Sequence, residues 1–185
     1  MVQGAHLKCA EFMAAPLEIR YYPDPVLRKL SVPVSPQDTT IPQLVTDLFA
    51  TLEGRGIGLA APQVGILKRV VVVDLGPEYS ETLPLALINP EITWRSEETS
   101  ACSNGCLSFP GFWEDVVRPE EIVVAYQDVN FRPQSLKAQG LLAVCIQHEI
   151  DHLDGILFID HLSKLKRASV IRRFKKQIAE GLSAS

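Results

Sequence analysis

The chain has 185 residues, 46% of them hydrophobic and 22% charged, which excludes global disorder and leaves enough apolar surface for the core of a single domain. No apolar run approaches the roughly 20 residues that span a bilayer, so a transmembrane helix and a membrane partner are excluded. The formal net charge of −4 hides an asymmetry: residues 164–176 hold seven basic and no acidic side chains, leaving 11 basic against 22 acidic residues elsewhere.

Residues 1–12 lack a charged start followed by a long apolar stretch, and they read as a cloning remnant or a trimmed leader. His6 and Cys9 are set aside with them, and residues 13–185 read as one domain. Cys9, Cys102, Cys106 and Cys145 form no evenly spaced framework, which predicts reduced thiols in a cytosol-like compartment. Pro23, Pro25, Pro33, Pro36 and Pro42 leave room only for short elements, such as one helical turn at 25–30. After Pro42, the spacing of Leu44, Val45, Leu48, Phe49 and Leu52 predicts an amphipathic helix that Gly54 and Gly56 end. The valine-rich run 69–75 predicts a buried strand. Two further short strands are expected at 83–88 and 91–94, either side of Asn89-Pro90. Segments 122–126 and 135–138 predict a hairpin turning at 128–133. Residues 141–153 change period and read as a buried helix, and a last, basic helix is expected over about 163–180. The expected fold class is α+β: short, mostly antiparallel strands packed around that central helix, plus a C-terminal helix.

His148, Glu149 and His152 form an H-E-x-x-H pattern. Four helical residues turn about 400°, so both imidazoles lie on one face and can share a metal, while Glu149 can reach a water beside it. Leu141, Val144, Cys145, His148 and His152 fall on one stripe of an apolar helix, and buried imidazoles need partners that a metal supplies. The third ligand is open on these residues alone. A zinc peptidase of the extended H-E-x-x-H-x-x-G-x-x-H type would need a ligand where Phe158 stands, and Glu180 is the only acid after His161. Cys106 follows a glycine that permits close backbone approach, and thiolate suits Zn2+ or Fe2+. Residues 56–63 (GIGLAAPQ) form a third segment: small residues around one amide, suggesting a loop pressed against another backbone and presenting Gln63.

Together these segments resemble the three signature motifs of the peptide deformylases. The first, G-φ-G-φ-A-A-x-Q, is met in full at 56–63, and the third, Q-H-E-x-D-H-L-x-G, in full at 147–155. The second, E-G-C-φ-S, is met at 105–108, with Asn104 in place of its glutamate. The resemblance runs from about Ile19 through the C-terminal helix and points to the bacterial and organellar subgroup with a long helical tail.

It implies a single catalytic domain over 13–185 that removes the formyl group from N-formylmethionyl nascent peptides. Cys106, His148 and His152 would hold one divalent metal, Fe2+ in the cell, with Zn2+, Ni2+ or Co2+ able to occupy the site. Glu149 would act as general base and acid, and Gln63 and the Leu107 N–H would hold the oxyanion. Ile57, Leu141, Val144 and Cys145 would take the methionine side chain, and backbone groups of Ile57, Gly58 and Gly105 would pair with the peptide. Arg118 is a candidate partner for Asn104. The basic helix would dock near the ribosomal exit tunnel, and a monomer in a bacterial cytoplasm, or in an organelle stroma or matrix, is expected. The rivals are a peptidase cleaving internal bonds and a non-enzymatic ribosome-associated factor. His161 reads as a surface or capping residue, Cys102 as structural, and Asp151 as a structural carboxylate facing away from the ligand stripe. Trp94 and Trp113 read as packing residues, with Trp113 near the cleft.

Overall fold

The computed structural model describes residues 13–79 and 84–181, so the reading of residues 1–12 lies outside it. Among the described residues, three α-helices and seven strands follow one another: α1 Ile41–Leu52, β1 Gly58–Ala60, β2 Val70–Val73, β3 Leu85–Arg95, β4 Thr99–Gly105, β5 Trp113–Pro119, β6 Glu121–Gln127, β7 Pro133–Gln139, α2 Gly140–Leu153 and α3 Lys164–Ala179. β1, β2, β3, β6 and β7 form an antiparallel sheet in that order, and β4 pairs with β5 as a separate ribbon. This is the expected α+β architecture. No helix among the described residues is long and apolar enough to cross a membrane.

The four valines of β2 are all buried because the sheet is covered on both faces. Val70 and Val72 pack with the α1 residues Ile41, Leu44, Val45, Leu48 and Leu52. Val71 and Val73 face the other way, onto Ala143, Cys145, Ile146, Ile150 and Leu153 of α2. Strand alternation thus sends one valine run into two cores. α2 sits against the sheet at its middle, with His148, Glu149 and His152 buried along it. Gly155, just past its end, has φ of +71°, and an added Cβ would lie 2.7 Å from the Arg28 carbonyl oxygen, so only glycine fits there.

A third core forms around α3. Val170 and Phe174, both 1% exposed, pack with Phe109, Phe112, Val116 and Phe158. The ring of Phe174 lies 5.0 Å from that of Phe109 and 5.4 Å from that of Phe112. The basic tail is therefore a wall of the domain as well as a charged surface.

Three expectations change. The strands predicted at 83–88 and 91–94 are one strand, β3, which continues through Asn89 although its φ is +51°. The Asn89 side chain replaces the broken ladder there: its amide donates to the Val34 carbonyl at 2.8 Å, and its oxygen accepts the Val34 N–H at 2.9 Å. The β4–β5 ribbon was not predicted at all. The segment 56–63, read as a loop, contains the short strand β1; its backbone lies against that of β2, as expected, and Gly58 also presses on side chains of α2.

Candidate active site

Cys106 leaves β4 at its C-terminal end, while His148 and His152 come from successive turns of α2. Their ligand atoms lie within 4.8 Å of one another. Cys106 Sγ is 3.3 Å from His152 Nε2, which is 3.3 Å from His148 Nε2. Nitrogen ligands about 2.0–2.1 Å from a tetrahedral ion lie about 3.4 Å apart, so the spacing of the imidazoles fits one shared metal. Burial pushes the His148 imidazole well below its usual range and that of His152 to about 4, which keeps both rings in the neutral form that ligates. Thiolate and imidazole donors together suit Fe2+ or Zn2+.

The Cys106 thiol is pushed up to about 12, first by burial and then by the neighbouring Glu149 charge. Metal uptake must therefore displace its proton at any pH below that value. Loading the metal-free protein between pH 6 and 8 should release at least one proton per chain, and affinity should rise about tenfold per pH unit. The histidines add nothing to this slope, being neutral already above pH 6. Zn2+ titration in weakly buffered indicator dye counts the protons, and a release well below one would argue against Cys106 as a ligand.

Glu149 is 4% exposed, and burial raises its carboxyl to about 8, although the Arg118 charge pulls the other way. Its Oε2 finds no hydrogen-bond partner among the described residues. Gln63, from the turn after β1, is oriented by its own backbone neighbour: the Ala60 N–H donates to Oε1 at 2.9 Å. That fixes the amide so that Nε2 points to the site, where it donates to Ser108 Oγ at 3.3 Å and lies 3.6 Å from Cys106 Sγ. Gly58 must be glycine, because a Cβ would sit 2.6 Å from both Cys145 Sγ and Glu149 Oε1.

These groups stand at the base of a cleft of about 1040 Å³. Ile57, Gly58, Gly105, Leu107, Val144 and Cys145 line it, as do Leu141 at the N-terminal end of α2 and the exposed ring of Trp113. The cleft therefore brings together every residue that the sequence assigned to metal, catalysis or substrate except His152, which lies buried behind Cys106 and His148. Trp94 is half exposed on β3 and lines no part of it. Ser108 is an addition: it anchors the Gln63 amide, and its place two residues after Cys106 in the second motif was the available signal. His161 lies at the surface, as read, and its Nε2 is also 2.8 Å from Asp151 Oδ2. Arg118 meets Asn104 as expected, with Nε donating to Oδ1 at 3.4 Å, and it also pairs with Asp151 at 2.8 Å.

The polypeptide deformylase family model matches residues 16–168. The peptide deformylase of Bartonella quintana is 48% identical over 159 residues, covering 85% of this chain and 90% of that protein. The crystal structure of peptide deformylase from Ehrlichia chaffeensis superposes with a TM-score of 0.84 at 40% identity, covering 91% of this chain and all of that one. A Met-Ala-Ser-bound class I type b enzyme from Acinetobacter baumannii matches at 34% identity and a TM-score of 0.75, over 81% of this chain and all of that one. With the candidate ligand cluster, the oriented glutamine and the cleft already in place, these likenesses carry one conclusion: the chain belongs to the polypeptide deformylase family.

Proposed function

We propose that the chain hydrolyses the formamide of N-formylmethionyl nascent peptides, releasing formate and a free N-terminus. The observation that carries this reading is the meeting of Cys106, His148, Glu149 and Gln63 at the base of one apolar-walled cleft, with His152 buried within reach of Cys106 and His148. When bound there, a divalent ion supplies an acidified water and polarises the formyl oxygen. Cys106, His148 and His152 hold it. Glu149 takes the proton of the attacking water and returns it to the departing amine. The Gln63 amide and the Leu107 N–H donate to the oxygen on which negative charge develops. Ile57, Leu141, Val144 and Cys145 enclose the methionine side chain, and backbone groups of Ile57, Gly58 and Gly105 pair with the peptide as an added strand. The Met-Ala-Ser held by the Acinetobacter relative has the chemistry of the deformylated product.

Fe2+ is the ion proposed in the cell, and its thiolate ligation makes anaerobic handling necessary. Formyl-Met-Ala-Ser with Fe2+-loaded protein should yield one formate per free amine. Cleavage of internal peptide bonds would instead make the protein a peptidase, and intact substrate at full metal occupancy would overturn catalysis altogether. The bacterial relatives support a bacterial cytoplasm as the setting.

We further propose that the outward face of α3 docks the enzyme on ribosomal RNA near the exit tunnel. Lys166, Arg167 and Lys176 already pair with Glu114, Asp160 and Glu180, and Arg173 stacks over Phe112. Lys164, Arg172 and Lys175 form no ion pair among the described residues and are exposed. Cutting the chain after Ser163 would remove Val170 and Phe174 from the third core, each worth about 1.5–3 kcal/mol, so truncation cannot separate docking from folding. Reversing Lys164, Arg172 and Lys175 to Glu should leave short-peptide hydrolysis unchanged. It should weaken ribosome binding and reduce its salt slope by roughly 0.7 for each phosphate no longer neutralised. Unchanged binding would leave the face merely solvated.

A further inference from the structure

Arg118 is a guanidinium with 4% exposure, and a buried charge needs a counter-charge. On the β4 side it meets only Asn104, a neutral amide oxygen at 3.4 Å, and that amide's nitrogen is turned to the Cys102 carbonyl at 2.8 Å. Its one carboxylate among the described residues is Asp151, reached at 2.8 Å. Asp151 lies on α2 between the candidate ligands His148 and His152. Asn104 stands two residues before Cys106. Arg118 therefore joins the strand end that carries the thiol to the helix that carries both imidazoles.

The Asp151 oxygen that faces Arg118 is shared. His161 Nε2 lies 2.8 Å from the same Oδ2, so a proton on that nitrogen is donated to it. The segment bearing His161, Phe158–His161, is fixed independently. Asp160 within it accepts the Leu157 N–H at 2.8 Å and pairs with both Arg28 and Arg167. His161 is thus a donor held in place from outside, aimed at a carboxylate that would otherwise be free to turn toward solvent.

We propose that His161 is a positioning residue: it locks the Asp151 carboxylate onto Arg118, and through that ion pair keeps Cys106 registered against His148 and His152. The proposal rests on the reading of those three residues as the metal ligands. Its expected signature is slower metal loss, because groups behind a metal site typically alter affinity 10–100-fold. A carboxylate at position 104 would give Arg118 a second counter-charge and make the His161 contact dispensable.

The test uses Co2+-loaded full-length protein, whose thiolate-to-cobalt absorption reports the Cys106 bond directly. Decay of that band in excess chelator is followed for the wild type, His161→Phe, His161→Gln and the double variant Asn104→Glu/His161→Phe. His161→Phe keeps a ring and loses the donor, and it should release Co2+ about tenfold faster with an unchanged KM for formyl-Met-Ala-Ser. His161→Gln retains an N–H at similar reach and should restore the wild-type rate, as should the double variant. Equal release rates for wild type and His161→Phe would overturn the proposal. So would a His161→Gln rate matching that of His161→Phe, since packing rather than the hydrogen bond would then be responsible. A wild type without the thiolate band would overturn the metal-site reading and the proposal together, which distinguishes the two failures.

Discussion

Glu149→Ala should lower kcat/KM for formyl-Met-Ala-Ser by about a hundredfold to ten-thousandfold while metal content stays near one ion per chain. The three donor atoms of Cys106, His148 and His152 are untouched by the change. What disappears is a buried carboxyl raised to about 8, with one oxygen free of any partner among the described residues. Such a group can both accept and hold a proton near neutrality, as a base that later acts as an acid requires. Glu149→Gln should be nearly as inactive, because the amide keeps the shape and loses the proton exchange. The stability of the metal-free protein should move the other way. A carboxyl raised from its ordinary 4.5 costs stability progressively as pH climbs from there through about 8, so Glu149→Gln should raise the melting temperature of metal-free protein most above pH 8. Metal analysis beside steady-state kinetics checks the first claim, and turnover within tenfold of wild type would assign the proton transfer to another group.

Gln63→Leu should cut turnover by hundreds-fold with little change in KM or metal content, since one donor aimed at developing charge is worth about 2.7–4 kcal/mol. The expectation is sharp because the amide cannot turn. Its oxygen is occupied by the Ala60 N–H, so the nitrogen faces the thiol and the cleft before any substrate arrives. Leucine fills a similar volume at this 1% exposed position, so a folding defect would be a small part of the loss. Unchanged single-turnover rates would remove Gln63 from the chemistry.

The parts of this molecule legible in its sequence are those whose burial is carried by apolar residues, either at helical spacing or in an unbroken run. α1 read correctly because its apolar residues follow a helical stripe, α2 because its apolar run is too long for a strand and is buried nearly all round, and β2 because both its faces are covered. The β4–β5 ribbon escaped because its burial is carried by Asn104, Val116 and Arg118, a polar residue and a charged one among them, so no apolar alternation marks it. β3 was split because Asn89-Pro90 has the look of a turn, while the strand survives there through side-chain bonds to Val34 that sequence does not display. In the site, the candidate ligands, the glutamate and the glutamine were visible as spaced motifs. The partners of His161 and Ser108 were not, since each depends on which elements the fold sets side by side.

The packing of Phe174 onto Phe109 has a consequence for the order in which the molecule can mature. Phe109 lies three residues after Cys106, yet the ring that covers it arrives 65 positions later, in α3. A growing chain that has made all three candidate ligands still lacks the wall behind its thiol-bearing turn. The turn around Cys106 gains its aromatic cover only when α3 docks, so the setting of the candidate thiol ligand depends on a helix made well after it.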